Sequence, residues 1–165
     1  MLTLGIDPGT ALLGYGLVAG ADELTMIAYG AVETQASDTT ARRLEIIFDS
    51  LTDIIAAHAP DVVAIEQLFF ARNSTTALAV GQARGVAMLA AAKARVPIFE
   101  YKPTQVKLAI AGYGGADKRQ VQEMVRTILG LDELPRPDDA ADALAVAICH
   151  AFSAAFRAAT AAASE

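Results

Sequence analysis

Two carboxylates stand where a solvated surface would not put them. Asp7 closes the apolar run Leu2-Thr3-Leu4-Gly5-Ile6, and Glu66 closes Val62-Val63-Ala64-Ile65. Carboxylates at the carboxyl ends of neighbouring parallel strands lie where open α/β sheets place their ligands. Two such charges repel each other and burial adds to the cost, so they need a counter-ion. Oxygen donors suit a hard divalent cation, magnesium or manganese. Further along, Asp139 and Asp142 in Pro137-Asp138-Asp139-Ala140-Ala141-Asp142 are spaced i, i+3 and project from one face of a helix. The helix dipole alone would draw acids to that position, which accounts for Asp138 and Asp139. It accounts less well for Asp142, in the second turn among Ala and Leu. Asp138 points about 100° away from Asp139 and is the poorer ligand candidate. Asp7, Glu66, Asp139 and Asp142 together offer oxygen ligands for one or two ions acting on a phosphate.

These residues have to be brought together by the elements around them. Leu2 to Asp7 reads as a strand ending in the Pro8-Gly9 turn. Gly14 to Ala19 and Leu24 to Thr34 are two further strands that can join as a hairpin. Leu44, Ile47, Phe48, Leu51, Ile54 and Ile55 fall at helical spacing and predict a helix from Thr40 to His58, stopped by Pro60. The run 62–65 is a strand buried on both faces. A long helix follows from Ser74 to about Arg95, then a fifth strand from Val96 to Tyr101. Pro103 starts a short helix, and 110–116 is a Gly-rich loop. Asp117 to Leu129 is a helix closed by Gly130. Pro137 suits the first turn of a last helix running to about His150. The expected fold is α/β: a mixed five-stranded sheet flanked by helices. Its first three strands are antiparallel, and its fourth and fifth run parallel to the first.

The chain has 165 residues and a formal net charge of −6. That length predicts one domain, placed at 1–152, with an Ala-rich tail at 153–165 that has little to dock it. The composition, 54% hydrophobic, excludes disorder, and a single cysteine excludes a disulfide scaffold. The longest uncharged stretches are 14 residues each, at 8–21 and 143–156, short of a membrane span. The N-terminus lacks a signal-peptide layout. The expectation is a soluble cytoplasmic protein. Net charge alone argues against a nucleic-acid partner, but the charge is segregated. Residues 1–71 carry −8, residues 72–119 carry +6 and residues 120–165 carry −4. A phosphate backbone is neutralised by local Lys and Arg, so the middle segment is suited to face a polyanion. Within or beside it, Arg72, Arg84, Lys102, Lys107 and Lys118 are candidate phosphate contacts, with ordinary solvated surface as the alternative. Phe69, just after Glu66, is either core or a platform for an unpaired base. Cys149 reads as a buried thiol, and His150 as a weak candidate for supporting the site.

Gly5-Ile6-Asp7-Pro8-Gly9-Thr10, Ala64-Ile65-Glu66-Gln67-Leu68-Phe69, Gly81-Gln82-Ala83-Arg84-Gly85-Val86-Ala87 and Asp139-Ala140-Ala141-Asp142-Ala143-Leu144 together resemble the bacterial RuvC family of Holliday-junction resolvases. The resemblance runs from residue 2 to about residue 150. It implies a ribonuclease H-like fold, a homodimer, and paired nicking of four-way DNA junctions to 5′-phosphate and 3′-hydroxyl ends. It also implies two magnesium ions per active site, with manganese as the alternative, held by Asp7, Glu66, Asp139 and Asp142. Asp7 would bridge the two ions. The family's two active-site lysines match Lys107 and Lys118, and its junction-contacting aromatic matches Phe69. Some members carry His where this chain has Asp139. A branch-migration complex, RuvA and RuvB, is the implied partner. The helix from Ser74, with Ala77, Gly81, Gly85, Met88 and Ala92 on nearby faces, is the implied dimer interface. Asp7-Pro8-Gly9-Thr10 also resembles the phosphate loop of actin and sugar-kinase nucleotide-binding domains, which need two such domains. A monomeric ribonuclease H-type nuclease on RNA–DNA hybrids, or a catalytically dead junction binder, would also use this fold.

Overall fold

The computed structural model describes residues 1–21, 23–67 and 74–162. Five strands, β1 (Leu2–Asp7), β2 (Leu12–Gly20), β3 (Leu24–Glu33), β4 (Val62–Glu66) and β5 (Ile98–Tyr101), form one sheet in the order β3-β2-β1-β4-β5. β1 pairs antiparallel with β2, and β2 with β3. β4 runs parallel to β1, and β5 parallel to β4. This is the ribonuclease H-like arrangement expected from the sequence.

Helices cover both faces, and the parity of the strands decides which side chains each face receives. Leu4, Ile6, Leu13, Leu17, Val63 and Ile65 point to one side and pack on α1 (Thr40–His58) and α2 (Ser74–Lys93). Val18, Ala64 and Tyr101 point to the other, beneath α3 (Pro103–Ala111), α4 (Lys118–Ile128) and α5 (Asp138–Ala162). α1 begins where the Thr39 hydroxyl accepts from Arg42 N–H at 3.3 Å, and ends at Ala59, which takes a left-handed conformation before Pro60. α4 is closed by Gly130 at φ 61°, as its sequence predicts.

Two expectations about the last helix need correction. α5 starts at Asp138, and Pro137 lies just outside it, its carbonyl accepting from the Ala140 and Ala141 N–H groups. The helix also passes His150 and continues to Ala162, so most of the 153–165 tail is helical. No Gly or Pro follows Pro137, and alanine is the best helix former. Phe152 packs on the core beside α4, and the Arg157 guanidinium lies 5.5 Å from the Phe99 ring centre. The uninterrupted α5 is long and apolar enough to span a bilayer, unlike the 14-residue stretches seen in the sequence. Half of its most apolar window is buried against this protein's own sheet and helices, which gives its apolar face a partner.

Candidate active site

The site follows from register. Ile6 on β1 faces Ile65 on β4, so the next residues, Asp7 and Glu66, lie side by side at the strand ends. Both share the parity of Gly5 and Ala64, and so both project toward α5 rather than toward α1 and α2. Gly5 and Gly14 on that face let α5 approach. A Cβ on Gly14 would strike the carbonyl oxygen of Asp139, and one on Gly5 the carbonyl oxygen of Ala143. The first two turns of α5 are thereby pressed onto the sheet, which brings Asp139 and Asp142 to the ends of β1 and β4.

The electrostatics record how closely these acids are held. Asp7 is pushed up from 3.8 to about 7, first by burial and then by the charges of Asp142, Glu66 and Asp139. Glu66 is raised by burial and by Asp142, with Lys107 pulling it down. Asp142 is raised by burial, against the opposing pull of Lys118. Lys118 Nζ lies 2.9 Å from Asp142 Oδ2 and 3.6 Å from Asp138 Oδ2. Burial lowers the Lys118 ammonium, but the Asp142 hydrogen bond and the charges of Asp142, Asp138 and Asp139 outweigh it and leave it raised. A cavity of about 190 Å³ opens between these groups, lined by Glu66, Lys107, Lys118 and Asp142 above an apolar floor that includes Val106, Val121 and Val146. The four acids and both lysines thus come from five elements, β1, β4, α3, α4 and α5.

Among the described residues, no three acidic, histidine or cysteine side chains are already drawn up to ion-binding distance of one point. The donor set still fits a hard cation. All four groups are carboxylates, and burial and the neighbouring acids push Asp7 up to about 7 despite the opposing pull of Lys118. Lys118 supplies one positive charge against four acids.

Other candidates fall elsewhere. Phe69 and Arg72 lie outside the described residues. Arg84 is engaged with Glu100 at 2.7 Å, which answers its charge on the α2 side. Cys149 is buried, its thiol pushed up to about 11 by burial, which makes it inert as a nucleophile. His150 is not at the carboxylates. Its Nδ1 shares a 2.8 Å hydrogen bond with the Tyr101 hydroxyl, and burial holds the ring down to about 4 and so neutral. The Tyr101 carbonyl accepts from Gln67 N–H at 2.7 Å, directly after Glu66. His150 and Tyr101 therefore brace the end of β4 through β5, a role that only the assembled sheet makes visible. Arg136 was not a candidate in the sequence, yet it pairs with Asp138 at the rim of the site.

Comparison with known proteins agrees with this geometry. A family model described as crossover junction endodeoxyribonuclease RuvC matches residues 3–150. A protein of that name from Heliobacterium modesticaldum is 60% identical over 93% of this chain and 95% of its own length. One from Chloroflexus aggregans is 57% identical over 93% of this chain and 94% of its own. Among solved structures, Thermus thermophilus RuvC in complex with a Holliday junction substrate superposes with a TM-score of 0.90 at 42% identity, covering 94% of this chain and 96% of that one. The yeast mitochondrial Holliday junction resolvase shares the fold, with a TM-score of 0.67 at 14% identity over 94% of this chain and 81% of that one. The pairing of acids at the ends of β1 and β4 with acids on α5, and the match across nearly the whole chain, make this protein a member of the RuvC family of crossover junction endodeoxyribonucleases.

Proposed function

We propose that this chain is a metal-dependent hydrolase that resolves four-way DNA junctions, with Asp7, Glu66, Asp139 and Asp142 holding the ions and Lys107 and Lys118 meeting the scissile phosphate. The observation that carries this is the cavity lined by Glu66, Asp142, Lys107 and Lys118, with Asp7 close enough to feel the charges of Asp142, Glu66 and Asp139. Asp7, Glu66, Asp139 and Asp142 would hold divalent ions, magnesium or manganese and two per site, whose chemistry would be to activate a water and stabilise the leaving 3′ oxygen. The chain's own contribution is charge and position. Asp7 must release its proton when the site is loaded, which ties loading to pH. Lys107 and Lys118 flank the cavity from α3 and α4 and offset phosphate charge as it develops. Phe69, next in the chain after this cavity's β4 wall, would stack on an unpaired base. Arg72 would add a backbone contact. The products would carry 5′-phosphate and 3′-hydroxyl ends.

A four-way junction has two-fold symmetry, and symmetric nicks call for a symmetric pair of sites. α2 supplies a face for a second copy. On one side Ala83, Ala87, Ala90 and Ala91 are buried in the core. On the opposite side Leu78 is 65% and Leu89 53% exposed, with exposed Gly85 between them. Nothing lies within 4 Å of where a Gly85 Cβ would sit, so another backbone can come close. In a homodimer the two faces would bury each other. Action in the cytoplasm beside a RuvA and RuvB branch-migration complex belongs to the same reading.

Asp7→Asn on a labelled synthetic junction tests the site. Nicking in magnesium should vanish while junction binding in EDTA persists. Persistent nicking would remove Asp7 from the mechanism, and cleavage of RNA–DNA hybrid in preference to junction would favour a ribonuclease H-type activity. Leu89→Glu should shift sedimentation from dimer to monomer. An unchanged dimer would place the interface elsewhere.

A further inference from the structure

We propose that Asp138, the acid next to the ligand pair, is a positioning residue for Lys118 and not a metal ligand. It opens α5 four residues before Asp142, on the flank of that residue away from Asp139. Both of its oxygens are already committed to cations. Oδ1 takes the Arg136 guanidinium, and Oδ2 lies 3.6 Å from Lys118 Nζ.

Lys118 needs such a partner. It is the first residue of α4, where the helix dipole disfavours a cation. Its nearest anion is Asp142, at 2.9 Å. The inference rests on the reading of Asp142 as an ion ligand and Lys118 as a phosphate contact. On that reading Asp142 turns to the ion, and Lys118 loses its main partner when it must face the substrate. Asp138 is the acid that stays with it. The side chain of Asp138 is 40% exposed and that of Lys118 54%, so both sit at the rim, where the ammonium can swing between carboxylate and phosphate. Arg136, on the other oxygen, limits rotation of the Asp138 carboxylate and keeps Oδ2 toward Lys118. With Asp138 in place the ammonium stays beside the cavity that Glu66, Lys107 and Asp142 line. Without it, a long side chain with several free torsions disperses into solvent.

The test combines manganese titration of the metal-free protein with single-turnover nicking of a synthetic four-way junction. Asp138→Asn should leave manganese affinity within about 2-fold of wild type and slow nicking about 2- to 5-fold, the size expected of an exposed ion pair. In a Lys118→Ala background it should slow nicking no further, because the residue it serves is gone. The proposal is overturned if Asp138→Asn weakens manganese binding, if it slows nicking equally with and without Lys118, or if it has no effect beside wild-type Lys118. Asp142→Asn is the control for the underlying reading and should weaken manganese binding at least about 10-fold. Unchanged binding there would overturn the ligand assignment itself, whatever Asp138 does.

Discussion

Asp7→Asn should make the metal-free protein more stable while abolishing its activity. In the fold the Asp7 carboxyl is pushed up to about 7 by burial and then by Asp142, Glu66 and Asp139, against 3.8 in the open chain. Below about pH 4 both states hold the proton, and the residue costs nothing. Between about 4 and 7 the unfolded chain has lost the proton that the fold keeps, so stability falls as pH rises. Above about 7 the fold carries the full penalty, roughly 4 kcal/mol at 1.36 kcal/mol per pH unit. Glu66 and Asp142 share the repulsion, so the part relieved by removing one charge is about 2–4 kcal/mol. For a chain of this length each kcal/mol moves Tm by about 2–4 °C. In EDTA at about pH 8, Asp7→Asn should therefore melt roughly 4–16 °C above wild type, and the gain should shrink toward zero near pH 4. Excess magnesium should raise the wild-type Tm and leave the variant nearly unmoved, closing the gap from the other side. Calorimetry across that pH range, with and without magnesium, reads all of this. A variant no more stable than wild type at about pH 8 would refute the reasoning, because Asp7 would then not carry uncompensated charge. A gain of equal size at about pH 4 would refute it too, by assigning the effect to packing.

Gly14→Ala should lower stability by several kcal/mol and junction nicking with it, since the new Cβ strikes the Asp139 carbonyl and lifts α5 from the sheet. Thermal melts and nicking rates should fall together, and a normal melt with full activity would deny the close approach. Lys107→Ala should weaken junction binding and reduce the salt slope by about one phosphate contact, read from affinities over a salt series. An unchanged slope would make it a bystander of the cavity. Tyr101→Phe leaves His150 Nδ1 buried without its hydrogen-bond partner and should cost about 1–3 kcal/mol. The loss should appear in urea melts, and a neutral result would mean that the pair does not brace β5.

The strand-end acids were legible because parity and register are local rules. Apolar runs ending in Asp7 and Glu66 fix both the strands and the side of the sheet the acids face. The Asp139 and Asp142 pair was legible from helix spacing alone, without knowing where the helix would lie. What escaped was set by tertiary contacts. The extra turns of α5 depend on Phe152 docking and on Arg157 over Phe99, partners far away in the chain. The place of His150 depends on Tyr101, which is 49 residues earlier. The net charge of −6 misleads for the same reason. It averages the acids at the strand ends with basic residues on α3 and α4 that line the same cavity.

The glycines of the first two strands hold the remaining information. Gly5 and Asp7 are two residues apart on β1, and Gly14 is the register partner of Asp7 on β2. All three face α5. A glycine weakens a strand, so one spent beside a buried acid on the same face marks a place where another backbone must come close. The backbone that comes is α5, with Asp139 over Gly14 and Ala143 over Gly5. One helical turn of 3.6 residues then sets Asp142 near Asp7. The acids of β1 and α5 thus meet because the sheet is hollowed under the helix. Had those positions carried side chains, α5 would ride higher and its acids would lie farther from Asp7 and Glu66. The quartet therefore extends beyond its four carboxylates to Gly5 and Gly14, whose missing side chains bring the helix into range.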